Sequence, residues 1–92
     1  MIRSFKCKDT LSLFEDRRVK KFGSVSDSAK KKLLLLHATV TLSDLLQFPG
    51  LRLEKLKGNR SGQHSIRINE QWRICFVWQN DGPYEVEVVD YH

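Results

Sequence analysis

Ninety-two residues with 40% hydrophobic side chains, including two Trp, two Tyr and five Phe, suffice for one modest core, so a single domain over residues 1–92 is expected. Sixteen Lys/Arg against eleven Asp/Glu give a net charge of +5 and a pI near 9.5, which favours a polyanion or an acidic protein as partner. This composition excludes a disordered chain, and the longest apolar run, Leu33–Leu36, excludes a membrane span.

Ile2–Phe5 alternates weakly and predicts a short first strand. Asp9 or Thr10 can cap a helix running to about Arg18, with Leu11 and Phe14 on its apolar face and Leu13 beside it. The basic run Arg17-Arg18-Val19-Lys20-Lys21-Phe22 closes on Gly23, a helix stop or turn. Ser24 or Ser26 can cap a second helix, with Asp27 near its positive end. Val25, Ala29, Leu33 and Leu36 recur at helical spacing, with Val40 at the far end, and Lys30-Lys31-Lys32 crosses the wet side. His37 reads as a half-exposed helix-end residue. Thr41 and Asp44 form a capping-box-like pair opening a short third helix, whose buried side is Leu45, Leu46 and Phe48 and whose end is Pro49-Gly50.

The period then changes from about 3.6 to 2. Leu51, Leu53 and Lys55 alternate with Arg52 and Glu54 along a strand, and Lys57–Gly62 is a polar turn. His64–Asn69 and Trp72–Trp78 alternate again, joined by a tight turn at Glu70-Gln71. Asn80-Asp81-Gly82-Pro83 is a strong turn signal, and Tyr84–Asp90 is the last predicted strand. Helices first and an antiparallel meander second define an α+β fold: two to three N-terminal helices on one face of a twisted sheet of about four strands. Ile66, Ile68, Ile74, Phe76, Val86 and Val88 would meet the helices. The other face would carry Arg67, Arg73 and, by parity, Tyr91.

That face suits phosphate chemistry. RNA can be cut without a metal when its 2′-hydroxyl attacks the adjacent phosphorus in line. Such cleavage needs a base, cations for the charged phosphorane and an acid for the leaving oxygen. Arg73 offers a planar fork for phosphate oxygens, with Lys57 and Arg60 in the turn and Lys20 or Lys21 at the basic helix end. The sequence closes on Asp90-Tyr91-His92. His92 titrates near neutral pH, Tyr91 can donate a hydrogen bond or stack on a base, and Asp90 can orient His92 or a cation. Taken singly, a strand arginine more often makes a surface ion pair, and a terminal histidine is more often an exposed tail residue. His64 begins a strand on its apolar face, which favours packing.

Cys7 and Cys75 form no metal or redox motif, and no P-loop or nucleophile elbow is present, so no metal or cofactor is expected. Met1–Lys6 lacks a signal-peptide apolar core, so a reducing, cytoplasmic location is expected.

Three strings, Leu56–Asn69, Gln71–Phe76 and Val89–His92, together with the opening Met1–Phe5, resemble the HigB branch of the RelE superfamily of toxins. The resemblance covers nearly the whole chain. It implies a RelE-like domain and a ribosome-dependent endoribonuclease that cuts mRNA in the 30S A site. It also implies neutralisation by a helix-turn-helix antitoxin of HigA type, through which operator DNA is bound. Family positions carry over to Lys57, Arg60, Arg73, Asp90, Tyr91 and His92, with the upstream lysine at Lys20 or Lys21. Some members have a histidine where this chain has Glu54, which implies a weaker or differently paced nuclease. The alternative is a basic module that docks on ribosomal RNA without cutting.

Overall fold

Period-two burial governs the second half of the chain. The computed structural model describes residues 1–90. Four strands, β1 (Glu54–Lys55), β2 (His64–Arg67), β3 (Trp72–Gln79) and β4 (Gly82–Asp90), form an antiparallel meander in the order β1-β2-β3-β4. Two α-helices precede it, α1 (Lys8–Phe14) and α2 (Ser26–Ala38), followed by a 3₁₀ segment over Leu42–Gln47. Leu13, Val25, Ala29, Leu33, Leu36 and Leu45 from the helical half pack with Ile66, Ile74, Phe76, Val86 and Val88 from the sheet, all buried. The predicted α+β architecture and the predicted apolar face are therefore what the chain builds, with Ile68 only partly buried at the margin. Among the described residues no helix is long and apolar enough to cross a membrane.

Several local expectations are corrected. Leu13, not Leu11, is the buried apolar residue of α1, and the helix starts at Lys8 and ends at Phe14, well before Arg18. Thr10 is fully buried beside it, and its hydroxyl accepts the Val88 backbone N–H at 3.0 Å, stitching α1 to the middle of β4. Lys30 does not lie in solvent. Its ammonium reaches the Phe14 carbonyl and sits 3.0 Å from the Asp16 carboxylate, satisfying the end of α1. Leu46 and Phe48 are 66% and 45% exposed, and Val40 is 79% exposed; the 3₁₀ segment turns Leu45, with Leu42 partly buried beside it, to the core instead. The Thr41–Asp44 capping box is present. The strand predicted from Leu51 shrinks to Glu54–Lys55, since Pro49–Leu51 forms a 3₁₀ turn and Arg52 adopts a left-handed conformation. Phe22, read as part of a basic run, is buried and meets Trp72 edge to face at 5.6 Å.

The first residues do not form a full strand, but they run parallel to β4 and cover its edge. Arg3 N–H donates to the Pro83 carbonyl at 2.9 Å, Val86 N–H to Ser4 at 3.1 Å and Lys6 N–H to Val86 at 3.0 Å. Ile2 N–H donates to His37 Nδ1 at 3.1 Å, so His37 anchors this segment as well as ending its helix. Gly82 lies where a β-carbon would stand 2.5 Å from the Met1 carbonyl, and its φ of +134° also favours glycine. A register shift between Cys75 and Val77 accompanies the positive φ of Glu85 and lets the two strands keep their apolar faces aligned.

Thr10→Val keeps the shape of the buried side chain but strands the Val88 N–H. A loss of about 1–3 kcal/mol is expected, read from the urea midpoint at unchanged m-value.

Candidate functional site

Burial of Ile74 and Phe76 beneath the helices turns Arg73 and Cys75 to the opposite face of β3. Strand register then arranges that face in two rows. One row runs Glu54, Ser65, Cys75, Glu87 across all four strands. The next places Arg67 directly opposite Arg73, with Val89 beyond it. Like charges facing each other across a strand pair repel, so the second row is a local cost with no reason in packing. Arg52, Glu54, Arg67, Asn69, Glu70 and Arg73 line a cleft of about 420 Å³ there.

Arg73 differs from an ordinary strand arginine. It is 8% exposed. Its Nε donates to Ser65 Oγ at 2.8 Å, and its Nη2 donates to the Arg52 carbonyl at 2.6 Å and reaches the Ser65 carbonyl at 3.4 Å. The Glu54 carboxylate lies 4.0 Å from Nη2. Arg73 is on the expected face, but its guanidinium is sunk into the cleft wall and held by hydrogen bonds.

The other predicted contacts divide. Arg67 lines the cleft. Arg60 is on the same face but engaged, with Nη1 3.3 Å from Glu87 and 3.2 Å from Gln63. Lys57 is exposed and precedes the 3₁₀ turn Gly58–Arg60 in the same loop. Lys20 and Lys21 are exposed, and Lys21 Nζ lies 5.9 Å from the Phe22 ring, which packs on Trp72. That contact brings the basic turn to the Trp72 end of β3, on the helix side of the sheet and not on the face that carries Arg73. Asp90 is exposed at the end of β4, opposite Trp72, and accepts from Gln71 Nε2 at 3.1 Å. Tyr91 and His92 lie outside the described residues, and with them the expectation that an imidazole and a phenol complete the site.

Sequence reading missed Ser65, the Arg52 carbonyl and Glu87. Glu87 was legible in principle, because alternation from Val86 and Val88 puts it on the face of Cys75. Burial pushes the Cys75 thiol up, and Glu87 adds to this while Arg60, Arg73 and Lys6 oppose it. Both cysteines are free thiols. His64 is turned to the other face and stacks on Phe76 at 6.2 Å, in the packing role expected of it.

A small α+β domain whose arginines line a cleft on the sheet face away from its helices is the setting in which the comparisons with known proteins belong. The chain belongs to the HigB-like toxins, the RelE-like toxins of type II toxin–antitoxin system HigB, whose family model matches residues 3–92. It is 38% identical over 80 residues to Toxin HigB-1 of Vibrio cholerae serotype O1, covering 85% of this chain and 84% of that protein. It is 31% identical over 93 residues to Endoribonuclease HigB of Proteus vulgaris, covering 100% of each. Among solved structures, the YoeB–YefM complex from Staphylococcus aureus matches with a TM-score of 0.55 at 24% identity, covering 100% of this chain and 98% of that one. The YoeB dimer from the same organism matches with a TM-score of 0.55 at 25% identity, covering 99% and 94%. These two likenesses establish the fold.

Burial, reinforced by Lys55, holds the His64 pKa below its ordinary 6.5. The unfolded chain therefore takes up a proton first as pH falls, and the stability present above pH 6.5 is lost on acidification below it. Urea midpoints at pH 7.5 and 5.5 should differ more for the wild type than for His64→Leu.

Proposed function

We propose that this toxin is a ribosome-dependent endoribonuclease that cuts mRNA in the ribosomal A site. The carrying observation is the pair Arg67 and Arg73, opposite each other in strand register and both lining one cleft, a concentration of positive charge that suits a phosphate. The name Endoribonuclease HigB, borne by a relative matched over its whole length, supports the activity. The cleavage is a transesterification. The 2′-hydroxyl gives up its proton, an O2′–P bond forms, the P–O5′ bond breaks, and the departing O5′ takes up a proton. A 2′,3′-cyclic phosphate and a 5′-hydroxyl remain.

In this mechanism Arg73 stabilises the phosphorane, and its fixed guanidinium needs no reorganisation as charge develops. Arg67, Lys57 and Arg60 bind flanking phosphates, with Lys20 or Lys21 at the Trp72 end of the sheet. His92 is the main proton-transfer group, oriented by Asp90, and Tyr91 positions the nucleotide. Glu54, beside Arg73, offsets part of the positive charge in free protein. The ribosome supplies alignment of the mRNA, which alone accounts for much of the acceleration in such reactions. A HigA-type helix-turn-helix antitoxin neutralises the toxin in the cytoplasm and carries the complex to operator DNA. Membership of a family of type II toxin–antitoxin toxins supports an antitoxin partner.

The engagement of Arg60 by Glu87 and of Arg73 by internal acceptors favours a second reading, a basic module that docks on ribosomal RNA without cutting. Mapping mRNA 5′ ends after induction separates the two, because only the nuclease leaves discrete breaks. Arg73→Ala and His92→Ala should each lower cleavage by about 10²-fold or more. Full growth inhibition by both variants removes these assignments. Glu54→His removes the carboxylate and adds a neutral-pH proton carrier, so cleavage should rise; an unchanged or lower rate counts against a restraining role for Glu54.

A further inference from the structure

We propose that Ser65 is the positioning residue for Arg73, and that the left-handed turn at Arg52 completes the same clamp. The inference rests on the proposed role of Arg73 at the phosphate. Ser65 is the second residue of its row of four, flanked by Glu54 on β1 and Cys75 on β3, and is fully buried. A buried hydroxyl needs a partner, and the Arg73 Nε–H, 2.8 Å away, supplies it. The bond runs diagonally across the strand pair, from Arg73 on β3 to the residue two positions before its direct partner Arg67 on β2. It draws the guanidinium along the sheet towards Ser65, away from the facing Arg67.

Ser65 holds the guanidinium from one side, through its hydroxyl and, at 3.4 Å, its carbonyl. The second contact comes from Arg52, which follows the 3₁₀ turn Pro49–Leu51 with φ 45° and ψ 58°. Few residues other than glycine and asparagine occupy that region without strain. Its carbonyl accepts Arg73 Nη2 at 2.6 Å. Nε and Nη2 are fixed by two different segments, so the plane of the guanidinium is set, not merely its position. Ser65 touches no substrate in this scheme. It acts by holding the fork that does.

The test uses purified toxin on ribosomes programmed with mRNA, together with ¹⁵N NMR of the Arg73 Nε–H. Ser65→Ala should keep the wild-type half-saturating ribosome concentration, lose about 10- to 100-fold in cleavage rate, and lose the slowly exchanging Nε–H resonance. Ser65→Thr, which keeps the hydroxyl, should restore rate and resonance together. A protected Nε–H in Ser65→Ala overturns the clamp, as does a wild-type rate in that variant or a folded Ser65→Thr that restores neither property. If Ser65→Thr fails to fold, the paired readouts on Ser65→Ala decide alone. Arg73→Ala is the control: inactive Arg73→Ala beside fully active Ser65→Ala removes the clamp and leaves Arg73 in place. Fully active Arg73→Ala removes the underlying reading itself.

Discussion

Strand alternation is the constraint from which the rest of this molecule follows. Successive side chains of β3 point to opposite faces, so packing Ile74 and Phe76 under α2 leaves Arg73 and Cys75 no choice of side. A slip of one residue in the β2–β3 pairing would carry the arginine of the slipped strand into the apolar core, where its charge has no partner. The hydrophobic register and the placement of the cleft are therefore one decision. The core fixes the cleft without any residue of the cleft contributing to the core.

The features legible in the sequence were those that alternation and helical spacing encode. Val25, Ala29, Leu33 and Leu36 sit three or four apart and are buried together, and the Thr41–Asp44 box forms as its spacing implies. Arg67 and Arg73 were placed on one face by parity alone. The features that were not legible depend on the fold closing. Thr10 reads as a helix cap, yet it is buried because Val88, 78 residues away, brings an unpaired amide to it. Leu46 and Phe48 carry the right chemistry for a core, but a 3₁₀ segment turns with a shorter period than an α-helix and leaves them outside. Arg60 looks like a loop cation until β4 supplies Glu87 to it. Membership of the HigB-like family was readable from the three strings, while the roles of Asp90, Tyr91 and His92 remain part of the proposal.

The electrostatics of the arginine face are more balanced than its composition suggests. Glu54 and Glu87 stand at the two ends of one row, each near an arginine of the proposed RNA path. Internal carboxylates take the place of mobile counterions. Where a phosphate displaces a carboxylate that stays nearby, fewer salt ions are released than the number of arginines would imply. A face built in this way discriminates against stray polyanions and relies on correct placement of the right one. That property suits the proposed activity, in which the ribosome delivers the strand.

The hydrogen bonds joining residues 3–6 to residues 83–86 connect stretches that synthesis separates by most of the chain. While a nascent polypeptide is still threading through the exit tunnel, its opening segment has no strand edge to dock on, and α1 lacks the amide that anchors it. Such long-range closure delays folding until the β3–β4 hairpin has emerged. A ribosome making this toxin thus completes nearly all of the message before the arginine face exists.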